Sequence, residues 1–375
     1  MGGPSEPIRA ATDIDAAWLT EALHAAGVGL GAEIVAVGSR SIGTGQVGEN
    51  VRFDLAWSDG DAGDDADRPA SVVGKFPSPS EVSRSTAVDI GTYQREVGFY
   101  RDLQQDVTIR TPQALHVGWE PATHDFVLLM EDVAPAEPGD QLGGCSVDEA
   151  VLAVDEAVGL HAPTWGRVEE YRRLGWLGFP GADRTAFLTA MLQGTYPGFA
   201  ERFSGRLTSD DVDLGAALIE RYGRLTDRIV EWAASHAAWC VTHGDYRLDN
   251  MLFGGGDGGH GGDSRVTIVD WQTVTVGTGP ADVAYFCGAG LLPDQRAAAE
   301  RDLVGRYAAG LRSAGVSIAD DDVWEGYVLG SASGYLMAVL ASQVVEQTER
   351  GDEMFAVMAE RHAAQMCDLD LIDQL

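Results

Sequence analysis

The chain contains a single lysine among 26 basic residues, and this lysine lies within a short apolar segment. Lys75 belongs to Ser71–Phe76, which is rich in strand-forming residues and is followed by Pro77. A composition bias that favours arginine over lysine accounts for the arginines at positions where any surface cation would serve. Because an ammonium is a compact point charge and a guanidinium is a planar fork, a lysine retained in a strand indicates a site that needs ammonium chemistry.

A helix with an inward-facing glutamate follows the lysine strand. Thr92–Leu103 carries Tyr93 and Tyr100 on one helical face, and Glu96 lies on that same face. A buried ammonium needs an anionic partner, since an isolated charge in an apolar setting is very costly. We therefore predict an ion pair between Lys75 and Glu96. The alternative is a glutamate at the rim of the helix with its carboxylate in water.

A glycine-rich segment precedes the lysine strand. Gly43, Gly45 and Gly48 form a G-x-G-x-x-G pattern, and Val51–Trp57 then alternates between apolar and polar residues as a strand does. In a dinucleotide-binding fold the third glycine would open a helix instead. With Ile34–Val37 as a preceding strand, the order of parts is that of kinases, in which this loop covers the nucleotide phosphates. For the loop taken alone, a plain glycine hairpin is the alternative.

The clearest catalytic motif lies in Val241–Phe253. Asp245 and Asn250 have the spacing of the kinase catalytic loop, in which the aspartate accepts the proton of the substrate hydroxyl. The asparagine carbonyl of that loop holds a magnesium ion, a hard cation that prefers oxygen ligands. The apolar strand Val266–Val269 is followed by Asp270, which would supply a second, anionic ligand to the metal.

These motifs, in this order, resemble the aminoglycoside phosphotransferase family, the small-molecule branch of the protein-kinase-like fold. The His-Gly-Asp sequence that ends at Asp245 stands where protein kinases have His-Arg-Asp. Residues 269–272 and 280–286 are similar to bacterial members and to choline-kinase-like and ecdysteroid-kinase-like relatives. The resemblance covers about residues 30–290 and is unspecific for the substrate.

The resemblance implies an α+β, bilobal protein-kinase-like fold. Its N-lobe, residues 1–133, would hold an antiparallel sheet with one main helix and a hinge at residues 131–133. Its mostly helical C-lobe, residues 134–375, would hold the catalytic loop 243–253 and the acceptor site. The apolar periodicity of residues 13–26 predicts a leading helix before the N-lobe sheet.

The resemblance also implies roles for residues that the motifs alone do not assign. The Glu131 carbonyl and the Val133 amide would be the hinge groups that contact adenine. His243 and Arg247 would support the catalytic loop. Asp282 would brace that loop, and an ordinary helix N-cap is the alternative for this residue.

Composition and charge restrict the partners. A net charge of −32 argues against nucleic acid and anionic membranes. The chain has no run of about 18 apolar residues, as a transmembrane helix needs, and Met1–Pro7 lacks the features of a signal peptide. We therefore expect a cytoplasmic monomer or homodimer that acts on a small molecule. A generally acidic surface explains the charge better than a cationic ligand does.

Taken together, two C-lobe segments that the resemblance places near the acceptor, residues 165–200 and 324–350, contain more aromatic than acidic residues. Packing in the helical core is the explanation that we favour for most of these rings. If two or three of them line the pocket, it suits a neutral, partly apolar compound, and turnover of aminoglycosides is expected to be weak. The rings are those of Trp165, Tyr171, Trp176, Phe179, Tyr196, Trp324, Tyr327 and Tyr335.

The function expected is that of an ATP- and Mg²⁺-dependent kinase which transfers the γ-phosphate to a hydroxyl of a small molecule, a neutral or partly apolar metabolite or antibiotic. The alternatives are a catalytically silent nucleotide-binding regulator and an aminoglycoside O-phosphotransferase. A protein kinase is a weaker alternative, because only Trp271–Gly279 separates Asp270 from Pro280 and this is short for a peptide-seating activation segment.

Overall fold

The structure is a computed structural model, and it describes residues 8–43, 48–58, 68–254 and 265–375. Two segments used in the sequence analysis, Gly45 of the glycine loop and the N-terminal Met1–Pro7, lie outside the described residues.

The chain divides into two compact units. The first comprises Met1–Leu103 and Thr111–Ala134, and the second comprises Gln104–Arg110 and Pro135–Leu375. The break between Ala134 and Pro135 falls one residue after the lobe boundary predicted at residues 133/134. The segment Gln104–Arg110, which the prediction placed in the first lobe, belongs to the second unit. This short segment is tied there by hydrogen bonds, because the amide of Ile268 donates to the Arg110 carbonyl at 2.8 Å. The functional roles assigned to the two lobes stay predictions.

The first unit is built on a five-stranded antiparallel sheet. Its strands are β1 (Ile34–Ile42), β2 (Gly48–Trp57), β3 (Ser71–Pro77), β4 (Ala114–Glu120) and β5 (Asp125–Glu131), in the order β1-β2-β3-β5-β4. The glycine loop connects β1 to β2, with Ile42 paired to Asn50 across the hairpin. One sheet face buries alternate apolar side chains, among them Phe53, Val72 and Leu129.

Three helices accompany this sheet: α1 (Ala16–Ala25), α2 (Glu81–Ile90) and α3 (Thr92–Gly98), which continues as a π-helical turn over Phe99–Leu103. The predicted leading helix is α1. Asp15 caps it by accepting a hydrogen bond from the Trp18 amide, and Trp18, Leu19 and Leu23 pack into the sheet core. The predicted main helix is α3, and α2 is an additional helix that the sequence pattern did not indicate. That segment is polar and buries only small residues, so its sequence carries a weak helical periodicity.

The second unit is mostly helical, as predicted. Its nine helices among the described residues are α4 (Val147–Thr164), α5 (Ala182–Arg202), α6 (Ser209–Glu220), α7 (Tyr222–Ser235), α8 (Gly279–Gly290), α9 (Pro293–Ser313), α10 (Asp320–Gly330), α11 (Ser333–Val344) and α12 (Glu349–Asp368). Short strands flank the candidate catalytic residues: β6 (Glu137–Pro138), β7 (Trp239–Thr242), β8 (Met251–Phe253), β9 (Val266–Ile268) and β10 (Thr275–Thr278). They pair in the orders β6-β8-β9 and β10-β7.

One stretch of the described residues, Asp320–Val344, has the length and hydropathy of a membrane span. It covers two helices, α10 and α11, and 61% of its apolar window is buried within the structure. Helices in the core of a protein have these same properties, so the stretch is weak evidence for a membrane span.

Candidate active site

The predicted catalytic loop lies between β7 and β8 of the second unit. Gly244 has a φ of +79°, and a Cβ at this position would lie 2.8 Å from the Thr273 carbonyl oxygen, so the loop requires glycine here. The buried His243 ring lies 3.0 Å from the Val269 carbonyl through Nε2, and its Nδ1 lies 3.3 Å from the Asp245 amide. A neutral imidazole with its proton on Nε2 satisfies both contacts, so His243 fixes the backbone that carries Asp245.

Asp282 holds the same loop from α8. Its carboxylate accepts hydrogen bonds from the backbone amides of His243 at 2.7 Å and Gly244 at 3.1 Å. The sequence left two alternatives for Asp282, a brace for the loop or a helix N-cap. The N-cap of α8 is Thr278, and the contacts that Asp282 makes are those of a brace. The carboxylate is itself held by buried His161, whose Nε2 lies 3.2 Å from Asp282 Oδ2.

Asp245, the predicted catalytic base, has three side-chain partners. The Arg247 Nε–H is shared between its two oxygens at 2.9 and 3.0 Å, the Tyr285 hydroxyl donates to Oδ1 at 2.7 Å, and the Asn250 amide donates to Oδ2 at 2.9 Å. Burial alone acts to raise the pKa of the Asp245 carboxyl. The charge of Arg247 and the hydrogen bond from Tyr285 outweigh burial, so the pKa lies below its ordinary value and the group is a carboxylate.

Tyr285 is a functional candidate that the sequence analysis did not single out. It is fully buried on α8, where burial raises the pKa of its hydroxyl well above the ordinary value, so it remains a hydrogen-bond donor to Asp245. A signal for it was available, because Tyr285 lies three positions after Asp282 and residues at this spacing share a helix face.

The two predicted metal ligands are adjacent in the second unit. The Val269 amide donates to the Asn250 carbonyl at 3.0 Å, and β8 and β9 pair with Met251 opposite Ile268, so Asp270 directly follows the residue bonded to Asn250. Asp270 adopts a left-handed conformation (φ 68°, ψ 67°), which is strained for a residue other than glycine and is typical of functional sites.

The donor set at this position fits a magnesium ion. The Asn250 side-chain nitrogen donates to the Asp245 backbone carbonyl at 2.8 Å and to its carboxylate, which leaves the side-chain oxygen outside these bonds. One amide oxygen and one carboxylate are what Mg²⁺ takes from a protein when water and substrate phosphates complete its coordination. Within the described residues no group of three or more His, Cys, Asp or Glu side chains could hold a metal by protein ligands alone.

The predicted ion pair between Lys75 and Glu96 is present in the first unit. Lys75 Nζ lies 2.6 Å from Glu96 Oε1, and the two side chains are 8% and 1% exposed. Lys75 sits in β3 between Asn50 of β2 and Leu128 of β5, while Glu96 is on α3. Removing either partner would leave an uncompensated buried charge, so the pair fixes the ammonium in one place.

The glycine loop and the hinge also belong to the first unit. Gly43 has a φ of +73° and Gly48 begins β2. At the end of β5, the exposed Glu131 donates its amide to the Gln113 carbonyl at 2.9 Å, and Val133 is half-buried. The roles of these residues toward a nucleotide stay predictions.

Asp132, between the two predicted hinge residues, was missed by sequence reasoning. Its carboxylate accepts hydrogen bonds from Arg52 on β2 and Ser71 on β3, and its side chain is only 4% exposed. These bonds tie the chain after β5 back to the sheet. An aspartate next to the end of a strand is typical of a turn. Because its partners Arg52 and Ser71 are distant in sequence, no local pattern indicated that Asp132 would bond to them.

Four aromatic residues of the predicted acceptor segments are core residues. Tyr171, Trp176, Tyr327 and Tyr335 are buried among the helices of the second unit. Trp324 is half-buried beneath the guanidinium of Arg301, 3.3 Å from the ring centroid. The packing explanation therefore holds for these four rings, and the argument from aromatic residues for an apolar acceptor pocket is weaker than the sequence suggested.

Comparison with solved structures defines the fold. A microcompartment-associated aminopropanol kinase has a TM-score of 0.52, with 13% identity over 94% of this chain and 97% of that one. The GDP complex of an aminoglycoside 2'-phosphotransferase-IIIa variant also gives 0.52, with 12% identity over 87% and 92%. Plasmodium vivax ethanolamine kinase gives 0.50, with 10% identity over 88% and 83%. At these identities the likeness shows the fold, which is the predicted α+β protein-kinase-like fold of small-molecule phosphotransferases.

Sequence comparison then gives the family. The chain belongs to the ecdysteroid kinase-like family, which matches residues 57–316, more than half of its length. This is among the relatives that the motifs resembled. Acyl-CoA dehydrogenase family member 10 of Mus musculus is 36% identical over 72 residues, which are 18% of this chain and only 6% of the mouse protein. By family and fold the chain belongs with the kinase-like small-molecule phosphotransferases.

Proposed function

We propose that the protein is a kinase that uses ATP and Mg²⁺ to phosphorylate a hydroxyl group of a small molecule. The observation that carries the proposal is the arrangement of Asp245, Asn250 and Asp270. The Asn250 side-chain nitrogen donates to both the backbone carbonyl and the carboxylate of Asp245. The backbone carbonyl of Asn250 accepts a hydrogen bond from the amide of Val269, the residue before Asp270. The proposed proton acceptor and the two proposed metal ligands thus lie on two adjacent segments that are joined by a backbone hydrogen bond.

Asp245 acts as the general base in this proposal. Its carboxylate is ionised, because Arg247 and Tyr285 stabilise the negative charge. It can therefore accept a hydrogen bond from the acceptor hydroxyl and take its proton as the new O–P bond forms and the bond between the γ-phosphorus and the departing ADP breaks. His243 and Asp282 fix the loop backbone so that the carboxylate stays in place. Positioning is the main contribution that a protein makes to phosphoryl transfer.

Asn250 and Asp270 would hold the metal, which when bound neutralises charge on the phosphate oxygens. Lys75, kept in position by Glu96, would bind the nucleotide phosphates as a point charge. We also retain the predicted roles of Gly43, Gly45 and Gly48 over the phosphates, and of Glu131 and Val133 at the adenine. The lobe assignment, with nucleotide groups in residues 1–133 and the acceptor site in residues 134–375, is part of this proposal.

The acceptor is proposed to be uncharged rather than cationic. The compounds named for the structural neighbours, ethanolamine, aminopropanol and aminoglycosides, carry amines. In this chain the carboxylates of Asp245 and Asp249 are already paired with two arginines, Arg247 of the same loop and Arg350 of α12. An ammonium group would have to displace a guanidinium, whereas a neutral hydroxylated compound would not.

The partners and the location follow from the same reasoning. The net charge of −32 disfavours polyanionic partners such as nucleic acid and anionic membranes. We propose that the protein acts in the cytoplasm, as a monomer or homodimer, on a diffusible substrate. Sedimentation equilibrium would separate the two oligomeric states.

A phosphorylation screen tests the proposal. The purified chain is incubated with MgATP and a library of hydroxylated metabolites that includes neutral alcohols, amino alcohols, aminoglycosides and a peptide array, and ADP release is measured. We expect turnover with neutral alcohols, weak or no turnover with aminoglycosides, and none with peptides. MgATP binding without ADP release on any acceptor or on water would show a silent nucleotide-binding protein. An aminoglycoside KM that rises steeply with ionic strength would show that a cationic acceptor is bound after all.

A further inference from the structure

An ion-pair chain of alternating sign leads away from the candidate base to a helix about 100 residues further along the sequence. Arg247 Nε bonds both oxygens of Asp245, and Arg247 Nη1 bonds Asp249 Oδ2 at 2.7 Å. Asp249 is bonded in turn by Arg350, at 2.8 Å to Oδ1 and 3.3 Å to Oδ2. Arg350 lies in the first turn of α12, from which Met354 also contacts Arg247 through its sulfur at 3.1 Å.

The acceptor positions of Asp245 are filled in this arrangement. A carboxylate has about four lone-pair positions. Tyr285 and Asn250 each use one, and the bifurcated Arg247 Nε–H covers one on each oxygen. An incoming hydroxyl needs one of these positions. Arg247 is the partner that can free it without leaving the carboxylate, since its single Nε–H can shift onto one oxygen.

The position of Arg247 depends on how strongly Asp249 attracts it. Asp249 has two cationic partners, Arg247 and Arg350, and its side chain is 15% exposed. Without Arg350, Arg247 would be the one cationic partner that the carboxylate of Asp249 keeps among the described residues. The guanidinium of Arg247 would then be drawn toward Asp249 and away from Asp245, because both carboxylates compete for the same cation.

We propose that Arg350 is a positioning residue for the phosphotransfer site, acting on Asp245 through Asp249 and Arg247. Arg350 touches neither Asp245 nor Arg247 by a hydrogen bond found in the structure, so its effect is indirect. It balances Asp249 and thereby leaves Arg247 free to orient the carboxylate of Asp245. The kinetic consequence of this inference rests on the proposed function, whereas its geometric consequence does not.

The kinetic test uses MgATP alone, because hydrolysis to ADP needs no identified acceptor. We expect Arg350→Gln to lower kcat about tenfold while KM for MgATP changes less than about twofold, since the nucleotide contacts are untouched. Arg350→Lys should restore most of kcat by returning the charge. Arg312→Gln is the matched control, since Arg312 also forms an exposed ion pair with an aspartate of the second unit, Asp320. It should leave kcat and KM unchanged.

Three outcomes overturn the inference: an Arg350→Gln variant with wild-type kcat, a loss in which KM rises instead of kcat falling, or a loss that Arg312→Gln reproduces. A double variant with Asp249→Asn completes the test. Once Asp249 is neutral it no longer competes for Arg247, so Arg350→Gln should then have little further effect. Fully additive losses would contradict the coupling.

A crystal structure of Arg350→Gln gives a readout that does not require activity. We expect the Arg247 Nε to have left both oxygens of Asp245 and to lie closer to Asp249. An unchanged Arg247–Asp245 contact overturns the inference even in an active enzyme. If the wild type proves inactive on every acceptor and on water, the proposed function fails, and this structure still decides whether Arg350 positions Arg247.

Discussion

His161 and Asp282, on two different helices, form a buried contact of 3.2 Å between Nε2 and Oδ2 that supports the loop carrying the candidate base. The other ring nitrogen of His161 lies 2.8 Å from the Tyr307 hydroxyl, so both imidazole nitrogens have partners. Asp282 uses its two oxygens to accept the amides of His243 and Gly244. The catalytic loop is thus anchored to the helical core through buried side chains.

Replacing this anchor should affect both stability and turnover. Asp282→Ala leaves two loop amides without an acceptor, and each unsatisfied buried donor costs ~1–3 kcal/mol. We expect a lower free energy of unfolding in urea and a lower kcat, with binding of MgADP retained. Asp294→Ala is the control, because Asp294 is also an acidic residue in the first turn of a helix but is exposed. Equal losses in the two variants would remove the special role of Asp282.

The buried ion pair of the first unit is expected to be sensitive to shape as well as charge. Lys75→Arg should lower kcat/KM for MgATP by about 10²-fold, because a guanidinium fork cannot take the ammonium position beside Glu96. Glu96→Gln should be damaging too, and the double variant should lose less than the sum of the single losses, as contacting residues do. Arg84→Lys, the reverse exchange at an exposed pair with Asp125, is the control and should be neutral.

Simple addition of the two losses would show that Lys75 and Glu96 act independently. The same would follow if Lys75→Arg retained wild-type kcat/KM. Steady-state ADP release at varied MgATP provides the measurement for all four variants.

Metal dependence should reveal the two oxygen ligands. Asp270→Asn removes an anionic ligand and Asn250→Ala removes an amide oxygen, so each should raise the Mg²⁺ concentration for half-maximal activity by about tenfold or more. Asp320→Asn, at an exposed aspartate paired with Arg312, is the control and should keep the wild-type Mg²⁺ requirement. Magnesium titrations of both ligand variants that overlay the wild-type curve would contradict the assignment.

Stability should fall in mild acid because of a buried histidine on α12. The pKa of His362 is lowered from 6.5 to about 4, chiefly by burial; hydrogen bonds to the Ser331 carbonyl and Gln365 oppose this shift, and the charges of Arg296 and Arg361 add to it. Between pH 6.5 and 4 the unfolded chain binds a proton at this site and the folded chain does not. The free energy of unfolding should therefore fall as the pH falls, by ~3 kcal/mol over the whole window.

Urea unfolding at several pH values checks this sign. The wild type should lose more stability between pH 6.5 and 4.5 than His362→Gln, which has no titrating group at the site. His236→Gln, at a more exposed histidine, should keep the wild-type slope. Identical slopes for wild type and His362→Gln would show that His362 does not carry the effect.

The sequence predicted the order of parts because kinases place their chemistry in short local patterns. The His-Gly-Asp motif, Asn250 and the strand before Asp270 lie within one stretch of chain, and Lys75 with Glu96 follows from strand and helix periodicity. The helix α2 escaped prediction because it is polar and buries little. Tyr285, Asp132 and Arg350 escaped because their importance comes from partners far away in sequence, which no local pattern encodes.

The central claim is that Asp245 is the base of a phosphotransferase, and Asp245→Asn tests it most directly. The substitution keeps the shape of the side chain but removes its capacity to take a proton. The account predicts that ADP release, with the best acceptor of the screen or with water, drops by about 10²–10⁴-fold, while the affinity for MgADP measured by calorimetry stays unchanged. Turnover above about a tenth of the wild-type rate would contradict it, since general-base catalysis contributes far more than tenfold.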